Sequence, residues 1–142
     1  KAYRDFGLDV DNTDNPIEAG LGFAVKLDKP GGFIGRDALA EIKARGVPKT
    51  RMLQFLLQDP KPLLYGNELI YLDGVEVGHL QIGGYGHTLG GAVGIGFVSL
   101  DTPVSLELVQ NGSWNINVAG QAIPASASIR PMLDPSMERI KG

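Results

Sequence analysis

The 142 residues are enough for one domain with its own core, or for one domain and a short piece of another. Apolar residues make up 43% of the chain and charged residues 20%, so it can bury enough surface to fold. A formal net charge of -3 excludes a general polyanion-binding surface, and the lack of cysteine excludes disulfides, thiolate metal sites and thiol nucleophiles together. The basic residues are dispersed, so nucleic acid is not an expected partner. No apolar run approaches the roughly 20 residues of a membrane-spanning helix, and no membrane partner is expected either. The chain opens on Lys1-Ala2-Tyr3 with no initiator methionine, apolar signal region or transit-peptide character, and is expected to be a piece of a longer protein.

Lys1 to Lys29 is acidic and turn-rich around Asp9-Val10-Asp11-Asn12-Thr13-Asp14-Asn15-Pro16, then apolar through Ala19-Gly20-Leu21-Gly22-Phe23-Ala24-Val25. This reads as a loop followed by a short strand. The one clear helix runs from about Arg36 to Arg45, with Asp37 suited to the dipole of its first turn and an apolar stripe of Ala38, Leu39 and Ile42. Gly46 and Pro48 form its stop signal. From Thr50 the pattern turns to period two. Met52–Leu57, Leu69–Leu72, Val75–Val77, Val104–Leu108 and Trp114–Val118 read as strands. Asp73-Gly74 and Asn111-Gly112 read as hairpin turns, since a type I′ turn needs positive φ at both central residues.

Glycine is abundant, 20 of 142 residues, and most of it sits inside apolar segments such as 83–86 and 90–96. Glycine within strand-like sequence marks bulges and tight bends, the features that small closed sheets need at their corners. Short strands, hairpin turns and internal glycines point to an antiparallel barrel or sandwich. The boundary between the two parts is expected near Val47 to Thr50.

The residues describe a scaffold rather than a reaction centre. An EF-hand loop begun at Asp9 would need Gly at its sixth position and Glu at its twelfth, where Asp14 and Gly20 stand, so 9–14 reads as a solvated acidic turn. The run 83–96 holds neither a dinucleotide fingerprint nor a P-loop and reads as a barrel strand with bends. His79 and His87 are not spaced as a helical metal pair, and no serine sits in a nucleophile elbow. Glu18 reads as a surface carboxylate and Trp114 as core. No catalytic residue and no metal ligand is expected within the chain.

Several stretches resemble one family. Asn15 to Phe23, Lys26 to Lys29 and Phe33 to Leu39 are similar to the glycine-cleavage T-protein (aminomethyltransferase) family. They are closer still to its version at the C-terminal end of dimethylglycine and sarcosine dehydrogenases. Asp73 to Gly78, Gly84-Tyr85-Gly86-His87-Thr88-Leu89-Gly90, Val93 to Val98, Ile123-Pro124-Ala125, Arg130 to Pro135 and Glu138-Arg139-Ile140 continue the likeness in order.

The resemblance implies a mainly β fold. Residues 1–49 would end an α+β folate-binding domain, and residues 50–142 would form a small antiparallel C-terminal β-barrel. It implies a parent enzyme that passes a one-carbon unit from an N-methylated glycine to tetrahydrofolate, with FAD in an upstream domain of the dehydrogenase branch. The catalytic Asp and pterin-binding Glu of the family would lie upstream of Lys1, leaving this chain inactive alone. Lys29, near the family's basic position for the folate carboxylates, and Tyr65, where the barrel approaches the folate cavity, are the implied cofactor-binding residues. The family often carries Thr-Ser before the Gly-Tyr segment, where this chain has Gln81-Ile82. The implied location is the bacterial cytoplasm or the mitochondrial matrix. The alternatives are a non-catalytic folate-binding or interaction module, and a glycine-cleavage T-protein or a relative that demethylates a sulfur compound.

Overall fold

Period-two sequence from Thr50 onward closes into a barrel. The computed structural model, which describes residues 1–141, places β1 (Thr50–Leu57), β2 (Leu69–Leu72), β3 (Val75–Gly86), β4 (Gly91–Ser99), β5 (Trp114–Val118) and β6 (Gln121–Ser128) in one closed sheet. The strand order around it is β1-β4-β3-β2-β5-β6, and each neighbouring pair is antiparallel. Closure pairs every strand on both sides, so no sheet edge is left to associate.

Inside the barrel, Leu53, Phe55 and Leu57 of β1 meet Ile70, Leu80, Val98, Trp114 and Ile116 in one buried cluster. Each such side chain contributes roughly 1.5–3 kcal/mol by leaving water. The Phe55 and Trp114 rings meet edge to face, centroids 5.6 Å apart. The alternate positions of β1, Met52 and Gln54, are buried too. Met52 donates its backbone N–H to the Glu18 carbonyl, and the Gln54 side-chain oxygen accepts from the Met132 N–H. The N-terminal segment and the tail after β6 therefore cover the outer face of β1.

The glycines inside β3 and β4 set how closely the strands and loops approach. A Cβ built on Gly96 would lie 2.3 Å from the His79 carbonyl oxygen, and one on Gly83 would lie 2.4 Å from the Leu64 backbone. The register slips between Leu80 and Ile82, so Gln81 forms a bulge.

The Asp73-Gly74 turn is a type I′ hairpin, with φ of 51° and 83°. The expected helix is α1 (Arg36–Ala44), stopped by Gly46 in the left-handed region. Two expected strands are not strands. Ala19–Val25 folds as turns ending in a 3₁₀ turn, Gly22–Ala24: the Leu21 N–H bonds back to the Pro16 carbonyl, and Gly20 turns at φ 72°. Val104–Leu108 enters a helix, α2 (Leu106–Asn111), because the Ser105 hydroxyl accepts from the Leu108 N–H and caps it. Asn111-Gly112 consequently ends α2 and is not a hairpin. The β5–β6 hairpin turns at Ala119-Gly120, with φ of 51° and 84°.

Candidate functional site

Each of the two residues implied by the resemblance lies at the surface. Lys29 is exposed and, with Lys26, Phe33 and Leu39, lines a cleft of about 280 Å³ beside α1. Tyr65 is 78% exposed, in the loop before β2. Its N–H and that of Gly66 donate to the two carboxylate oxygens of Glu68, which fixes the loop. The cleft beside Lys29 does not include Tyr65.

His79 is exposed on β3 with Gln81 beside it, and His87 is exposed and stacks edge to face on Tyr85 with centroids 5.1 Å apart. Among the described residues no cluster of three His, Cys, Asp or Glu could hold a metal. The acidic turn is only partly solvated. Asp11 accepts from the Thr13 N–H and hydroxyl and has its carboxyl pulled below the usual range by those bonds, first by the hydroxyl. Asp9, by contrast, is buried and accepts from the Asp5 N–H. A buried Asp9 corrects the expectation of a fully solvated cluster, and its electrostatic partner is Arg4.

The most chemically marked hollow was not anticipated. A cleft of about 590 Å³ opens where the N-terminal segment, β1 and the tail meet. Four cations line it: Lys1, Arg4, Arg51 and Arg130. Its one carboxylate, Asp134, is already paired with Lys1 at 2.6 Å. Arg4 donates Nε to the Ala19 carbonyl at 3.1 Å and Nη1 to the Ala2 carbonyl, which anchors the N-terminal segment. Burial pulls the guanidinium of Arg4 below its ordinary range, with Asp9 acting in the opposite direction. Burial also lowers Arg51, whose Nε is enclosed without a hydrogen-bond partner among the described residues while Nη1 donates to the Val104 carbonyl at 3.3 Å. Both guanidinium groups remain charged at neutral pH. These residues lie at positions 1, 4, 51 and 130, so no local pattern announces them.

On its other side Tyr3 also borders a smaller slot of about 220 Å³, floored by Gly83, Gly84 and Gly94 and edged by Ile82. The cleft and the slot share Ala2 and Tyr3. The two hollows therefore meet at the N-terminal segment, one cationic and the other lined by glycines and apolar side chains.

Residues 50–134 match the glycine cleavage T-protein C-terminal barrel domain. The chain belongs to that family. This T-protein-type chain is 39% identical over its whole length to the 4-methylaminobutanoate oxidase (formaldehyde-forming) of Paenarthrobacter nicotinovorans, covering 16% of that protein. It is 33% identical, again over its whole length, to the mitochondrial sarcosine dehydrogenase of Homo sapiens, also covering 16%. The chain thus spans about a sixth of the length of these relatives. The glycine cleavage system aminomethyltransferase T of Bartonella henselae superposes on 87% of the chain, and on 33% of its own, with a TM-score of 0.71 at 24% identity. That likeness shows a shared fold. No helix among the described residues is long and apolar enough to cross a membrane.

Proposed function

We propose that this chain serves as the barrel end of a tetrahydrofolate-dependent aminomethyltransferase module in a longer protein that oxidises an N-methylated amino acid. The match over the whole chain at 39% identity to an amine oxidase supports the oxidation, and the match of residues 50–134 to the T-protein barrel carries the folate half. In it, residues 1–49 complete a folate-binding domain, residues 50–142 form its C-terminal barrel, and the oxidation occurs in an upstream flavin domain. The one-carbon unit leaves the amine and is captured by tetrahydrofolate in the module. Tetrahydrofolate would supply the accepting nitrogens. This chain would supply cavity wall, with the Lys29 ammonium directed to the folate carboxylates and the Tyr65 ring available to cover its aromatic part. The exposure of both side chains supports that role, since neither is spent on the barrel core.

The test is a product assay on the longer protein. With an N-methylated amino acid and tetrahydrofolate, methylene-tetrahydrofolate is expected in place of free formaldehyde. Lys29→Ala and Tyr65→Ala are expected to raise the KM for tetrahydrofolate and leave the rate of amine oxidation unchanged. Release of formaldehyde regardless of tetrahydrofolate would overturn the reading in favour of a non-catalytic module. Alone, the 142-residue chain is expected to turn over neither sarcosine nor dimethylglycine and to bind tetrahydrofolate weakly.

A further inference from the structure

We propose that Asn111-Gly112 is a self-modifying site: a spontaneous deamidation, held in check by the last turn of α2, whose product loosens that helix from the barrel. Of the six asparagines, Asn111 alone precedes glycine. A following residue without Cβ leaves its amide nitrogen free to approach the asparagine side chain. Asn15 precedes proline, whose nitrogen carries no proton to lose. Asn12, Asn67, Asn115 and Asn117 precede threonine, glutamate, isoleucine and valine, whose side chains crowd that approach.

The chemistry needs only water. The Gly112 amide gives up its proton to solvent, and its nitrogen attacks Cγ of Asn111. A nitrogen–carbon bond forms, the bond from Cγ to Nδ2 breaks, and ammonia leaves with a proton taken from water. Water then opens the cyclic succinimide, at one carbonyl to aspartate and at the other to isoaspartate, in which the backbone runs through the side chain.

The fold restrains that attack. Asn111 is exposed at the end of α2, so solvent reaches it. The Gly112 N–H, however, donates to the Leu108 carbonyl at 2.9 Å, and the nitrogen keeps its proton while that bond stands. Gly112 is also packed: an added Cβ would lie 2.5 Å from Cδ1 of Leu72 and 2.9 Å from the Leu108 oxygen. Behind it, Ser113 exchanges two hydrogen bonds with Asp73, at 2.9 and 3.0 Å. Attack on Asn111 therefore requires the last turn of α2 to open first.

The product then opposes closure. Asp73, Glu107 and Asn111 line a hollow of about 380 Å³ between α2 and the β2–β3 turn, and no cation is among its lining residues. Deamidation adds a third carboxylate there, four residues along the helix from Glu107 and at the negative end of the helix dipole. Isoaspartate also lengthens the backbone by one carbon beside the packed Gly112. Modification follows opening of the turn and afterwards favours it, so the change runs in one direction.

Peptide mapping by mass spectrometry on this chain at mildly alkaline pH, with isoaspartate marked by a protein-isoaspartate methyltransferase, tests the assignment. Aspartate and isoaspartate are expected at position 111 before any change at the other five asparagines. Urea well below the unfolding midpoint is expected to speed the change at least about fivefold by opening α2. Trp114→Phe, which removes the indole N–H bonded to the Val109 carbonyl, is expected to do the same without urea. Asn111→Gln is expected to abolish the signal, and Asn111→Asp to unfold at lower urea than Asn111→Gln. The proposal is overturned if another asparagine changes first, if neither urea nor Trp114→Phe accelerates the change at 111, or if Asn111→Asp and Asn111→Gln are equally stable.

Discussion

The ammonium of Lys1 lies 2.6 Å from Oδ2 of Asp134, an ion pair between residues 133 positions apart. It ties the N-terminal segment to the tail beyond β6, the two pieces that cover β1. The same carboxylate accepts from the backbone N–H groups of Glu138 and Arg139. The Lys1 hydrogen bond is the main reason the Asp134 carboxyl is held below its usual range, with the two N–H bonds adding and desolvation opposing.

A pH dependence follows from that direction. A carboxyl with a lower pKa folded than unfolded stabilises the native state above the unfolded value of about 3.9, and the contribution disappears as pH falls through the folded value. Asp134→Asn is therefore expected to melt below the unaltered chain near neutral pH, with the gap closing as pH drops from about 6 to about 3. Thermal unfolding followed by circular dichroism checks it. A gap that stays constant across that range would show that the Lys1–Asp134 pair carries no linked stability. Asp11 titrates in both proteins, so its own lowered carboxyl cancels in the comparison.

The β3–β4 contact supplies a second expectation. Gly96 is where the backbone of β4 crosses close to His79 and Leu80, and an added Cβ would meet two backbone atoms of β3, at 2.3 and 2.8 Å. Backbone cannot step aside as a side chain can. Gly96→Ala is expected to cost about 2–4 kcal/mol or to prevent folding. Gly84, twelve residues earlier on β3, meets nothing within 4 Å. Gly84→Ala is expected to change stability by no more than about 0.5 kcal/mol. Urea titration of both variants gives the comparison, and equal losses would refute the close-approach argument.

How far the fold was legible turns on which signals were local. Asp73-Gly74 announced its hairpin because both residues tolerate positive φ, whereas Ala119-Gly120 forms the same turn with an alanine at φ 51°. No composition rule favours alanine there. Val104-Ser105-Leu106-Glu107-Leu108 alternates like a strand, but Ser105 is a helix cap, and that local hydrogen bond outweighed the pattern. Strand periodicity and internal glycine pointed to a barrel or a sandwich, and the family resemblance implied the barrel that the strands form. The cationic cleft was not legible, because Lys1, Arg4, Arg51 and Arg130 converge only when the tail folds back over β1. A net negative charge further concealed a local positive site.

Helix α2 packs Val109 into the barrel's buried cluster, and a hydrogen bond from β5 fixes it there. The indole Nε1 of Trp114 donates to the Val109 carbonyl at 3.0 Å in a buried setting. That carbonyl belongs to the last four residues of α2, whose acceptors have no partner within the helix. Trp114→Phe would keep an aromatic ring against Phe55 but leave the Val109 oxygen buried and unpaired. The unmet acceptor and the smaller ring together are expected to cost about 3 kcal/mol. Replacing Leu106, 57% exposed on the same helix, by alanine is expected to cost under about 0.5 kcal/mol. Equilibrium unfolding measures both. Amide exchange at Gly112, whose N–H bonds to the Leu108 carbonyl at 2.9 Å, should accelerate in Trp114→Phe if the indole anchors the end of α2. Unchanged exchange there, with stability lost elsewhere, would place the role of Trp114 in core volume alone.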